Sequence, residues 1–404
     1  MKILNNLSWM FFANLFVAFS KWLIIILLAK LTTPTDVGIY SLAFAVSAPI
    51  VLFANMKLRA LIVASDQKDL QNFFNTRFLF NIITFFVLSL LSIMLYPEYF
   101  LVILIIGLSK IIDLQSDLYY AIPHRENDLI IVGKMMIAKQ LILILAFAGI
   151  LYFTRNFVMA LFIQLIFQFL YLLLVEKLYM FKNYSFTKEI SSLAGIKKIL
   201  YLGIPLGLVQ MLNSFNTNYP RYVLEYVESA EVLGYFSAIM YLAIIANIFT
   251  NALSQVFLPI LSNLVKNKKI EEFKKYLYRY LLLFSLGLGF VFILCAVFLG
   301  EEVLSIFYGT EYAKYNDLLT VVAIYTSINL INANLDNALI SMNYISIMPK
   351  ITIISFIITI IGGYILIISL SIKGAALILL LSASLQLLLK FYFVNKKMKY
   401  LISM

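Results

Sequence analysis

The chain has 404 residues, 63% of them hydrophobic and 13% charged, where soluble domains carry about 25% charged residues. A membrane span takes about 20 apolar residues, so this content suffices for roughly twelve spans and leaves no room for a large soluble catalytic domain. One cysteine, Cys295, and one histidine, His124, exclude a disulfide framework, a cysteine-based cluster and a zinc site built on several histidines, and the net charge of +11 reads as an orientation signal, not as a nucleic-acid surface.

The apolar windows are too long for strands and lack their alternation, and open backbone cannot face lipid. They predict twelve helices, at 8–30, 38–58, 73–95, 99–121, 129–151, 156–175, 199–220, 232–254, 276–298, 317–340, 350–370 and 374–394. The first lacks a short apolar core followed by a cleavage site, so it reads as a retained span; it carries Asn14 and Lys21 on one face. The second contains Pro49 and follows Leu31-Thr32-Thr33-Pro34-Thr35-Asp36-Val37-Gly38; it leads through Asn55-Met56-Lys57-Leu58-Arg59 to Ser65-Asp66. The fourth places Lys110, Asp113 and Asp117 on a single stripe with Ser109, Ser116 and Tyr120. His124 and Arg125 fall in the loop behind it. The fifth carries Lys139, either at membrane depth or tilted to the surface.

A polar connection from about Glu176 to Lys198 divides the chain into lobes at 1–180 and 199–404, with 181–198 as a cytoplasmic linker. The seventh helix contains Pro205, Gln210, Asn213, Asn216, Thr217, Asn218 and, at its end, Arg221. The eighth carries Asn247, Asn251 and Gln255, and the tenth Asn329, Asn332 and Asp336. The second lobe repeats the first. Val227-Glu228-Ser229-Ala230-Glu231-Val232-Leu233-Gly234 follows its counterpart by 196 residues, and Asn329, Asn332 and Asp336 follow Lys110, Asp113 and Asp117 by 219. Six helices per lobe make the repeat parallel, with a pseudo-two-fold along the membrane normal. With both termini in the cytoplasm, 22 of the 31 basic residues lie on the inner side, as the positive-inside rule requires.

An ionised side chain in mid-span costs roughly 2.5–3.5 kcal/mol on insertion scales, so these residues either line a water-filled cavity or pair with one another as interhelical glue. Lys21 fits either role, with Asp113 or Asp117 as its partner in the second. Asparagines on the seventh, eighth and tenth helices are open to helix packing or to hydrogen bonds with a sugar. No nucleotide-binding loop of the Gly-x-x-x-x-Gly-Lys type is present, so the chain consumes no ATP.

The Thr-Pro-Thr-Asp-Val-Gly-Ile-Tyr-Ser segment, the Asn-Met-Lys-Leu-Arg segment, the helix count and the repeat together resemble the polysaccharide transport family. These are the Wzx-type O-antigen and capsule repeat-unit flippases of the multidrug/oligosaccharidyl-lipid/polysaccharide exporter (MOP) superfamily. The resemblance implies an all-α, V-shaped bundle of two six-helix lobes whose cationic central cavity accepts an undecaprenyl-diphosphate-linked oligosaccharide by alternating access. On that reading Lys21, Arg59, Lys110, Lys139 and Arg221 supply positive charge. Asn213, Asn251 and Asn332 supply sugar partners, and Asp113, Asp117 and Asp336 bind a proton or sodium ion as in an antiporter. It also implies no cofactor or metal, a bacterial cytoplasmic membrane, and a polysaccharide polymerase and chain-length regulator as partners. Asp113 and Asp117 depart from a purely cationic cavity by placing negative charge beside Lys110.

Two other functions define the contrast. A cation-coupled multidrug exporter of the same superfamily prefers an acidic cavity, whereas the intraspan charges here are Lys21, Lys110, Lys139 and Lys390 against Asp113, Asp117 and Asp336. A membrane glycan polymerase or ligase needs an outer catalytic loop, and the longest outer loop, 300–315, offers only Glu301, Glu302 and Glu311. The expectation is a transporter and not an enzyme.

Overall fold

The computed structural model describes residues 2–64, 70–184 and 192–402, except for the side chains of 2–7, 64, 244–249, 251–253, 255 and 256. Every regular element among them is helical. Ten stretches have the length and composition of a membrane span. One of them, Ile345–Ile402, holds both of the last two predicted helices. Its long helix, Met348–Ile402, is broken at Ser371 (φ 50°, ψ −130°). The eighth predicted helix is present in two pieces, Ala230–Tyr241 and Ala243–Lys266, meeting at Leu242. The protein is therefore a multi-pass membrane protein with the expected helix complement.

The chain forms two compact units, Met1–Phe215 and Asn216–Met404. The first contains α1 (Lys2–Leu31), α2 (Pro34–Asn55), α3 (Leu58–Ala64), α4 (Leu70–Leu95), α5 (Phe100–Arg125), α6 (Leu129–Thr154), α7 (Phe157–Tyr171), α8 (Leu178–Asn183) and the start of α9 (Leu193–Val227). The Thr-Pro-Thr-Asp motif turns out to be a helix start. Thr33 caps α2 by accepting from the Asp36 N–H, the Asp36 carboxylate accepts from the Thr33 N–H, and Pro34 occupies the first turn. In the repeat, Ser229 caps α10 (Ala230–Tyr241) through the Val232 N–H, so the sequence similarity between halves preserves a capping position. The α2 helix is rich in small buried residues, among them Gly38, Ser41, Ala43, Ala45, Ser47 and Ala48, which let neighbouring helices close around it. By contrast α4 shows Phe78, Phe86, Leu90 and Met94 on its exposed side, the chemistry of a lipid-facing helix.

Two boundaries differ from the sequence expectation. The sixth helix does not end at 175, because α7 continues through a π-helical turn, Leu172–Lys177, into α8. Glu176, expected in the polar linker, is therefore inside the bundle and fully buried. Nor does the first unit end at the linker. The start of α9 packs on the end of α2 through Gly203, which faces Met56, and Gly207, where a Cβ would collide with the Phe53 carbonyl oxygen. Ile199 joins Met56, Leu58, Ile62, Leu70 and Phe73 in one apolar cluster, and the Ser192 N–H donates to Asn72 Oδ1 at 2.9 Å. The polarity of the 181–198 segment marks a connection, while the glycine pair four residues apart decides where α9 begins to pack. Gly207→Val is expected to lower stability by about 1–3 kcal/mol through overpacking, read as a drop in Tm of the purified protein in detergent.

The second unit contains the remainder of α9, α10, α11 (Ala243–Lys266), α12 (Ile270–Lys275), α13 (Leu283–Phe307), α14 (Thr310–Ala313), α15 (Asn316–Ser341) and α16 (Met348–Ile402). A second π-helical stretch, Tyr276–Leu282, joins α12 to α13. Helix α15 is its centre. Leu335, Ala338 and Leu339 of α15 pack with Leu261, Phe273, Leu277, Ile351 and Val394 from α11, α12, the π-helical stretch and both arms of α16. Since α13 runs to Phe307, Glu301 and Glu302 lie on a helix and the loop expected at 300–315 is shorter.

Candidate functional site

In the first unit, α1, α2, α5, α6 and α7 surround a hollow of about 90 Å³. Lys21 reaches it from α1, Tyr40 and Phe44 from α2, Ser109, Lys110 and Asp113 from α5, Gln140 from α6, and Gln164 and Gln168 from α7. The lining is thus two lysines, one carboxylate, three amides and two hydroxyls on an apolar background. Lys110 Nζ rests 3.2 Å from the centroid of the Phe44 ring. Among the described residues, neither Lys21 nor Lys110 has a carboxylate oxygen within 4.0 Å.

Asp113 is differently placed. Its Oδ1 accepts from Lys139 Nζ at 2.8 Å and from Gln168 Nε2 at 2.8 Å, while 47% of the side chain remains exposed, towards the hollow. Lys139, only 4% exposed, also donates to Ser116 Oγ at 2.8 Å and lies 3.8 Å from Glu176 Oε1. The Tyr120 hydroxyl donates to the same Glu176 oxygen. Ser109 completes the chain by donating to Gln168 Oε1 at 2.6 Å. The α5 stripe thus has partners: every polar residue on it below Lys110 bonds to a neighbouring element, and Lys139 is buried in the bundle, held between two carboxylates.

Arg59 and Asp117 form a separate pair at 3.1 Å, with Arg59 Nε also donating to His124 Nδ1 at 3.3 Å. The end of α2 aims this arginine. Met56 and Lys57 take left-handed conformations (φ 48° and 50°), so α3 leaves at a new angle. Fully buried Arg77 from α4 donates to the Ala54 carbonyl at 2.7 Å and the Asn55 carbonyl at 3.0 Å, satisfying the last carbonyls of α2. Arg77→Met is expected to cost about 2–4 kcal/mol, since it orphans buried acceptors. The checks are a lower Tm and a loosened Arg59 region in hydrogen exchange.

Among the remaining predicted residues, Asp336 and Asn332 of the second unit are arranged for packing. Asp336 pairs with Lys390 at 2.8 Å. Asn332, 3% exposed, donates to the Ala383 carbonyl at 2.9 Å, so both tie α15 to the last arm of α16. Arg221 donates to Asn218 Oδ1 at 2.7 Å, amid the hydroxyls of Tyr222, Tyr241 and Tyr325. Asn213 is exposed on α9, and the side chain of Asn251 lies outside the described residues. Lys21, Lys110, Asp113 and Lys139 are the predicted residues brought together.

Sequence reasoning missed Gln140, Gln164, Gln168, Glu176 and Arg77. The first three carried a signal: Gln164 and Gln168 lie four apart on the sixth span, one face of a helix, and Gln140 follows Lys139. Arg77 carried none, because a buried arginine capping a neighbouring helix has no local pattern.

Comparison with known proteins shows the family and the fold. Residues 27–317 match the model of the family described as polysaccharide biosynthesis protein. The capsular polysaccharide biosynthesis protein CapF of Staphylococcus aureus is 31% identical over 395 residues, covering 98% of this chain and 100% of CapF. Among solved structures, an inward-facing multidrug resistance MATE family transporter of the MOP superfamily superposes with a TM-score of 0.70 at 13% identity, covering 97% of this chain and 96% of its own. The lipid II flippase MurJ in an inward closed conformation gives 0.67 at 13% identity, covering 96% and 89%. The chain belongs to the polysaccharide biosynthesis protein family, a polysaccharide transport family with the MATE and MurJ fold.

Proposed function

We propose that the protein flips a polyprenyl-diphosphate-linked oligosaccharide repeat unit from the cytoplasmic to the outer leaflet of a bacterial cytoplasmic membrane by alternating access. The observation that carries this reading is the hollow in the first unit, where Lys21 and Lys110 face water-sized space without a carboxylate partner. Fixed positive charge in a low-dielectric, membrane-enclosed space suits a diphosphate. The amides of Gln140, Gln164 and Gln168 beside it suit sugar hydroxyls, and the polyprenyl tail stays in lipid. The kinship with CapF and the shared fold with MurJ support a glycan-lipid cargo. The same two lysines weigh against a cationic drug as cargo, although the fold is shared with multidrug transporters.

Transport is coupled to a proton or sodium gradient in this reading, with both termini cytoplasmic. Asp113 is the carboxylate that faces the hollow, and a coupling cation there competes with Lys139; Asp117 and Asp336 are held by Arg59 and Lys390. On the outer side a polymerase and a chain-length regulator receive the flipped unit. The test is reconstitution in liposomes with a fluorescent diphosphate-linked glycan. Transfer of label to the opposite leaflet, lost on replacing Lys21 and Lys110 together, supports the reading. Transfer indifferent to both lysines contradicts it.

A further inference from the structure

Asp113, Asp117 and Asp336 are each ion-paired, which makes them poor candidates for the proton that accompanies the ligand. Asp113 has Lys139 at 2.8 Å, Asp117 has Arg59 at 3.1 Å and Asp336 has Lys390 at 2.8 Å. Among the described residues, two lysines of the hollow, Lys21 and Lys110, have no carboxylate counter-ion. Lys110 makes no ion pair or hydrogen bond among the described residues, and its contact is the face of Phe44, a weak partner for an ammonium. The groups facing it from each packed element are few. Lys21 comes from α1 with like charge. Tyr40 comes from α2. Asp113 lies on the same helix and is held by Lys139 of α6, and α7 offers the uncharged amides of Gln164 and Gln168. Two ammonium groups sharing so small a hollow repel each other, and an anion between them reverses that balance.

We infer that Lys110 takes up a proton when an anionic ligand enters the hollow and gives it up when the ligand leaves. The step is balanced: the Lys110 amine lone pair forms an N–H bond with a proton given up by a buffer acid or hydronium ion in bulk solvent and relayed through water, so no hydroxide is left in the hollow, and the added positive charge offsets one negative charge of the ligand. Lys21, exposed on α1, supplies the initial attraction. This inference rests on the hollow being an anion site, as proposed above, and places the ligand-linked proton on Lys110, separate from the coupling cation at Asp113.

The experiment is calorimetric titration of the full-length protein in detergent with inorganic diphosphate, in two buffers of different ionisation heat. Wild type is expected to take up about one proton more per ligand than Lys110→Arg, whose guanidinium is always charged. The ligand's own protonation is common to both proteins and cancels in the difference. Equal proton uptake by the two overturns the inference while leaving the anion site standing, and absence of wild-type binding overturns both. A second readout needs no variant. Affinity of wild type for sulfate, which does not titrate near neutrality, is expected to weaken as pH rises, by up to about tenfold per unit. An affinity independent of pH from 6 to 9 overturns the inference.

Discussion

Lys139→Met is expected to destabilise the first unit by about 3–5 kcal/mol, the cost of removing one partner from a buried ion pair. Lys139 is 4% exposed and sits between Asp113 at 2.8 Å and Glu176 at 3.8 Å. Glu176 is fully buried and its Oε2 has no hydrogen-bond partner, so without the ammonium a carboxylate faces low dielectric with only Tyr120 to stabilise it. The loss should appear as a lower Tm and lower yield of the purified protein. Adding Glu176→Gln to Lys139→Met should recover a substantial part of it, because the amide removes the orphaned charge. A double variant no more stable than the single one would show that Glu176 does not depend on this lysine.

Lys21→Ala with Lys110→Ala should behave in the opposite way, leaving stability nearly intact and abolishing transport. Among the described residues neither lysine holds a carboxylate, so their removal orphans no buried charge there and Asp113 keeps Lys139. What is lost is the positive charge in the hollow. A hydrogen bond to a charged group is worth about 1.5–3 kcal/mol, so losing one from each lysine lowers diphosphate affinity by at least about 100-fold. Leaflet-to-leaflet transfer in liposomes at matched protein content should fall by a similar factor. Together the two predictions separate a lysine that holds the fold from lysines that hold a ligand, although all three sit within one bundle and look alike in hydropathy.

Hydropathy made the helix complement legible, because each span must satisfy its own backbone in lipid, and the 196-residue repeat exposed the duplicated helix starts at Thr33 and Ser229. The α5 stripe was legible for the same reason: a charge tolerated at depth must face something polar. Its partners were harder to read. Glu176 sat where apolar and polar sequence meet, and polarity alone assigned it to the linker. The π-helical turn that carries it into the bundle leaves no mark in composition. Arg77 counted as one more basic residue on the inner side until its guanidinium was found on the carbonyls of α2. Asn332 shows the converse, since an amide on a predicted cavity face serves equally well as a hydrogen bond between helices, here to Ala383. Gly203 and Gly207 decided the packing of α9, but a glycine pair is informative only once the facing helix is known.

The central claim is that the hollow lined by Lys21, Lys110 and Gln164 is wet and takes an anionic group. The direct measurement is the reaction rate of a single thiol at Gln164→Cys with a charged methanethiosulfonate reagent, in protein carrying Cys295→Ser to remove the exposed native thiol and presented in nanodiscs so that both faces are open. The account predicts labelling that inorganic diphosphate slows. A thiol that never reacts, or one that reacts at the same rate with and without diphosphate, contradicts it.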